Sequence, residues 1–221
     1  MRGYSMFTFS LTSECTLLCS LPPPAELDKQ RQIWFVAEKM RQQENVQEVV
    51  VGMNNFSLFY TPNADLDKLK WKVSQYWQET PEQTSNHQGR LIEIPVHYGG
   101  EFGEDLFDVA KFHQTTVEEI VRRHTSPIYT VFMIGFQPGF PYLGGVPENL
   151  HTPRRDQPRT KVPAGSVGIG GSQTGVYPFT SPGGWQLLGR TEIPLFDIKQ
   201  TPPVLLMAGD NVKFVAESIT L

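Results

Sequence analysis

The sequence predicts a chain of two parts: an α+β N-terminal domain of ferredoxin-like type over residues 1–85, then a mainly-β barrel domain over residues 86–221. Three observations lead there. Glycine is scarce at first, with only Gly3, Gly52 and Gly89 in the first ninety residues, and then dense: 12 of the 19 glycines and 8 of the 18 prolines lie between Gly135 and Arg190. The early apolar pattern alternates strand, helix, strand pair, helix, as a small α+β sandwich does. The later pattern is a succession of short apolar runs cut by Gly and Pro, which suits a closed or nearly closed β-barrel.

Each element has its own signal. Phe7–Leu11 and Thr16–Leu21 read as short strands, and Pro22-Pro23-Pro24 forces the chain out of the second. Leu27, Ile33, Trp34, Val36, Ala37 and Met40 recur at helical spacing, which predicts an amphipathic helix from about Ala25 to Gln43. The β-branched run Val46–Val51 turns at Asn54-Asn55 into Phe56–Thr61. A second helix carries Leu66, Leu69, Val73 and Tyr76 or Trp77 on one side, with Asp65 and Asp67 at its dipole-favoured start. The polar segment Thr80–Gly89 reads as a linker. Arg90–Val96 is expected as a strand, Asp105 as the start of a helix to about His113, and Thr115 or Thr116 as the cap of another ending near His124. Tyr129–Ile134, Trp185–Gly189, Val204–Met207 and Val212–Val215 complete the expected strands.

Composition excludes several classes. At 39% hydrophobic and 19% charged, with net charge −4, the chain has the make-up of a globular protein and no basic blocks, so nucleic acid is not an expected partner. No run of about 18 apolar residues occurs, so no membrane span is expected. The N-terminal apolar residues are interrupted by Ser, Thr and Glu14, unlike a signal peptide, and cytoplasmic residence follows as the default. Cys15 and Cys19 have no Cys/His ligand spacing around them and read as idle thiols; no protein-bound metal is expected.

The run Gly135–Arg190 is the informative part. Its glycine content would suit a linker, but linkers do not hold Phe136, Phe140, Tyr142, Tyr177 and Trp185, so it reads as tight turns between strands around a pocket. It carries Arg154, Arg155, Arg159, Lys161 and Arg190 against Glu148 and Asp156, a local excess of positive charge that favours an anionic ligand. Arg154, Arg155 and Arg159 offer forked donors for carboxylate or phosphate, or else pair with Asp156, Glu148 or carbonyls and hold the loop. Gln173, Thr174 and Tyr177 could orient a small amide-containing ligand, although Tyr177 and Trp185 equally suit a barrel core. Phe136 and its neighbours in GFQPGFPY could wall a pocket, and an X-Pro bond there could be cis. His97, at a strand end before Gly99-Gly100, and His124, at a helix C-terminus where imidazolium is favoured, are binding candidates that also admit structural roles. His151 lies beside the arginines. No catalytic nucleophile is identified: Ser166 in AGSVG and Ser172 in GGSQT each miss GxSxG by one glycine, and GSVGIGGSQ misses GxGxxG at Gln173.

GFQPGFPYLGG, HTPRR, VPAGSVGIGGSQTGVYP and SPGGWQLLGRT together resemble the signatures of the KipI family, which includes the B subunit of bacterial 5-oxoprolinase and proteins labelled allophanate hydrolase subunit 1. The resemblance covers nearly the whole chain. It implies a cyclophilin-like barrel in the second half. It also implies the role of the B subunit in an ATP-dependent 5-oxoprolinase, which opens 5-oxo-L-proline to L-glutamate together with a KipA-like C subunit and a hydrolase, the A subunit. In that scheme the arginine loop would hold the substrate carboxylate or the γ-phosphate of ATP, with Mg shared with the partner, and the chain is expected to be inactive alone. Two further readings come with the family: a KipI-type inhibitor of a sensor histidine kinase, and a module related to urea carboxylase or allophanate hydrolase. No carrier-lysine MKM-like motif supports the last.

Overall fold

A computed structural model describes residues 7–80 and 89–221, so most of the expected linker Thr80–Gly89 lies outside the described residues. The chain divides into two units, Met1–Gln88 and Gly89–Leu221, against the expected boundary at 85/86. No helix among the described residues is long and apolar enough to cross a membrane.

The first unit holds β1 (Thr8–Ser13), β2 (Thr16–Ser20), α1 (Leu27–Arg41), β3 (Val46–Gly52), β4 (Asn55–Tyr60) and α2 (Leu66–Gln78). Alternation buries Phe56, Leu58 and Tyr60 of β4, and α1 covers them with Ile33, Val36, Ala37 and Met40. Asp65 caps α2 by accepting the Lys68 N–H at 3.0 Å. The sheet order is β1-β2-β4-β3, antiparallel throughout. This departs from the expected ferredoxin-like order, in which a final strand follows the second helix. Here the strand beside β2 is the N-terminal β1, and no strand of this unit follows α2 among the described residues.

The second unit holds β5 (Leu91–Gly99), α3 (Leu106–Phe112), α4 (Val117–Thr125), β6 (Tyr129–Ile134), β7 (Pro141–Gly144), β8 (Arg159–Val162), β9 (Ser166–Gly170), β10 (Gln173–Val176), β11 (Ser181–Gly183), β12 (Gln186–Arg190) and β13 (Asn211–Thr220). Seven strands close into a barrel in the order β10-β7-β6-β13-β5-β12-β9, while β11 and β8 form a separate ribbon. β5 and β13 run parallel and the remaining barrel pairs antiparallel. Ile94, Val96, Tyr98, Val131, Val167, Ile169 and Phe214 fill the core.

Two local expectations are corrected. Val204–Met207 is not a strand: Val204 makes one isolated bridge to Phe196, since Pro202 and Pro203 remove donors just before it. Leu206 is still buried, so its apolar signal reports burial rather than pairing. No cis bond lies in GFQPGFPY; among the described residues the cis X-Pro bonds are Pro23-Pro24 and Thr201-Pro202.

Candidate functional site

The dense glycines have a steric cause. Phe140, Tyr177 and Trp185 form an edge-to-face cluster with ring centroids 5.1 and 5.5 Å from Phe140. A Cβ on Gly170 would lie 2.8 Å from the Trp185 indole, and one on Gly183 would lie 2.5 Å from the Tyr177 hydroxyl. Glycine at these positions lets the rings lie directly on strand backbone. Around them opens a cleft of about 200 Å³, lined by residues of the run 136–185, among them Phe136, Tyr142, Arg154, Arg155, Tyr177 and Trp185. Phe136, held at φ 66°, is 60% exposed and meets the cluster 5.4 Å from Phe140.

The three arginines separate sharply. The Arg154 guanidinium lies 5.7 Å from the Trp185 ring centre, a cation–π placement, and has no carboxylate within ion-pair distance among the described residues. Arg155 and Arg159 instead converge on Asp105, whose side chain is 2% exposed. Arg155 Nη1 donates to Oδ1 at 2.5 Å, and Arg159 donates to both oxygens at 2.8 Å. The Leu187 N–H adds a bond of 2.7 Å, and Arg159 also reaches Glu104 at 3.1 Å. The partners expected from sequence, Asp156 and Glu148, take no part in this cluster. Asp105 was legible only as a helix start; at sequence level its distance from the arginines hides its role.

The loop is held from the other side too: Arg155 N–H donates to Gly184 C=O at 2.8 Å, and Gln186 Nε2 to Pro153 C=O at 3.1 Å. Burial raises the Tyr177 phenol above its ordinary pKa, opposed by the Trp185 amide and the Arg154 charge. Tyr142 is raised by burial and likewise opposed by Arg154. Both phenols are therefore neutral donors at neutral pH.

The remaining candidates lie elsewhere. Thr174 and His124 are fully buried in the barrel core, not on the cleft wall. Thr174 donates to Gly168 C=O at 2.9 Å and so accepts from His124 Nε2 at 2.9 Å; His124 Nδ1 then accepts the Tyr98 hydroxyl at 2.7 Å. Burial lowers the His124 pKa to about 3, so the imidazolium expected at a helix C-terminus is overridden by desolvation. His97 packs on the outer side of β5, its Nδ1 2.8 Å from Ser218 Oγ and its ring 5.6 Å from Phe102. Gln173 opens β10, opposite Gly170, and does not line the cleft. His151 donates to Val146 C=O at 3.0 Å. Among the described residues no three His, Cys, Asp or Glu side chains gather as a metal site requires.

Known proteins share this architecture. The carboxyltransferase domain family, subdomain C and D, matches residues 7–206. The chain is 60% identical to the 5-oxoprolinase B subunit of Haemophilus influenzae over 95% of its own length and 97% of that protein. It is 46% identical to the 5-oxoprolinase B subunit of Escherichia coli O157:H7, covering 94% of each. Among solved structures, TTHA0988 superposes with a TM-score of 0.76 at 32% identity over 92% of this chain, which spans only 40% of that longer one. The Kluyveromyces lactis urea carboxylase matches in fold alone, with a TM-score of 0.74 at 18% identity over 96% of this chain and 22% of that one.

Proposed function

Since the chain belongs to the carboxyltransferase-domain family, subdomains C and D, alongside proteins named as the B subunit of 5-oxoprolinase, we propose that it is the B subunit of an ATP-dependent 5-oxoprolinase and that its aromatic cleft receives 5-oxo-L-proline. The observation that carries this reading is Arg154. A guanidinium over the Trp185 ring with no carboxylate in ion-pair reach among the described residues is a cation left available beside apolar ring faces. 5-Oxoproline supplies the complement: a carboxylate for the arginine and a small ring for the aromatic wall.

Size supports the same ligand. About 200 Å³ equals roughly six or seven water molecules at about 30 Å³ each, enough for one small substituted ring. It falls below the range of about 300–1,000 Å³ usual for larger ligands, which favours a small ring over a whole nucleotide. In this reading ATP, with Mg²⁺, is held largely by a KipA-like C subunit, and the A subunit completes the enzyme.

The reaction fits such a division of labour. Amide resonance makes the lactam carbonyl a poor electrophile, and transfer of the γ-phosphoryl group to its oxygen creates a leaving group. Water then adds to that carbon and the ring C–N bond breaks with its electron pair and a proton going to nitrogen, which leaves an acyl phosphate; a second water displaces the phosphate, leaving glutamate, ADP and phosphate. This chain's part is to bind and orient: Arg154 with Arg155 holds the carboxylate, Trp185 and Phe136 exclude water from the ring faces, and the neutral Tyr177 phenol is available as a donor.

The test is 5-oxoproline-dependent phosphate release by the chain purified together with its partner subunits. The Arg154→Ala variant is expected to lose on the order of 100-fold in kcat/KM, since a charge-assisted contact is removed. Unchanged turnover would remove the cleft from the reaction. A silent wild-type assembly that instead binds a histidine-kinase dimerisation domain would favour the inhibitor reading.

A further inference from the structure

Asp105, like Asp210 elsewhere in the barrel unit, has its accepting capacity used up, and it is tied to an arginine that lines the cleft. An ionised carboxylate offers about four lone-pair positions. Here two N–H groups, from Arg155 and Arg159, meet Oδ1, and two more, from Arg159 and Leu187, meet Oδ2. With 2% of its side chain exposed and no acceptor position free, Asp105 has nothing left for a substrate or a proton. What it does hold is geometry. It lies between β5 and α3, and ties the loop carrying Arg155, the first residue of β8 and the start of β12 to one point.

Its two guanidiniums are not equivalent. Arg159 is 16% exposed and spends its donors on Asp105 and Glu104. Arg155 is 34% exposed, lines the cleft, and spends only Nη1 on Asp105, while its Nε is buried with no hydrogen-bond partner. Arg155 thus keeps donors in hand, and Glu104, Arg159 and Asp105 form a strut behind it. A guanidinium on a flexible stem gains specificity only when its fork is held in place.

We propose that Asp105 is the positioning residue of the cleft: braced by Arg159, it fixes Arg155 against the wall and so sets the affinity for the substrate's anionic group without touching the substrate. This rests on the reading of the cleft given above.

The experiment uses the assembled complex and steady-state kinetics with 5-oxoproline. Asp105→Asn keeps the shape but weakens the three bonds from the arginines, and is expected to raise KM about tenfold while kcat changes less than about threefold, the pattern of lost uniform binding. In an Arg155→Ala background the same substitution is expected to add nothing, because the residue through which it acts is gone. If Arg155→Ala raises KM but Asp105→Asn does not, or if the two effects multiply in the double variant, the positioning role is overturned while the cleft reading stands. If Arg155→Ala itself leaves KM untouched, Arg155 has no part in binding and the positioning role falls, whereas the cleft reading falls only if Arg154→Ala is also without effect. Should Asp105→Asn fail to fold, Arg159→Gln loosens the same carboxylate from behind. It is expected to give a smaller rise in KM that vanishes with Arg155→Ala, and no rise would sink the proposal.

Discussion

In the barrel core, Tyr98, His124 and Thr174 spend their polar groups on one another and on the Gly168 carbonyl, and burial holds the histidine neutral. At the cleft a similar mixture of aromatic and polar side chains is left incomplete: Arg154 faces Trp185 without a counter-ion among the described residues, and Phe136 is exposed. The difference separates a polar network that specifies a fold from one that awaits a ligand. A closed network can be buried at little cost because every donor has its acceptor. A network with one cation over must stay near solvent until something anionic arrives.

Substitutions can break this contrast. The largest effect is expected at the junction of the two regions: Asp105→Ala strands two guanidiniums and should destabilise the barrel unit by about 3–5 kcal/mol in denaturant titration. Arg154→Ala should do the reverse, leaving the denaturation midpoint almost unmoved, within about 0.5 kcal/mol, despite its loss of activity. A large loss of stability there would make Arg154 a scaffold residue like its neighbours.

Acidification probes the core through His124. His124 is lowered from about 6.5 to about 3 in the fold, so below about pH 6.5 the unfolded chain binds a proton that the folded chain refuses. Stability should therefore fall as pH falls between those values. The slope is at most about 1.4 kcal/mol per pH unit, or about 2 kcal/mol lost by pH 5. His124→Gln should abolish that component; a slope unchanged in the variant would assign it to other groups. A smaller effect than at Asp105 is expected at Gly183→Ala. Its new Cβ would press on the Tyr177 hydroxyl, costing about 1 kcal/mol of stability. It should also narrow the cleft, so a raised KM for 5-oxoproline is the reading to look for.

The legible parts of this molecule share a trait. β6 was readable to the residue as Tyr129–Ile134, and α2 by its apolar side and its acidic start, because periodicity and helix-end charge act over a single turn or strand. The cleft was legible as a region, since glycine density beside large aromatics is a local signal of close ring-to-backbone packing. Asp105 was not: its partners lie 50 and 54 residues away, and nothing in a helix-start aspartate announces them. Whether Thr174 and His124 face a pocket or the core was open at sequence level for a related reason. A hydroxyl near a glycine turn looks the same in sequence whether its strand presents it to solvent or to the core.

By itself the sequence determined most of the first unit's strands and helices, the aromatic and cationic character of the glycine-rich half, and the family to which the chain belongs. Only the tertiary structure decided which arginines are spent and which is left over. It also drew the first sheet's edge strand from the N-terminus and made His124 a neutral core residue. Local propensity acts through neighbours along the chain, whereas ion pairing, desolvation and strand order depend on what barrel closure brings within a few ångströms.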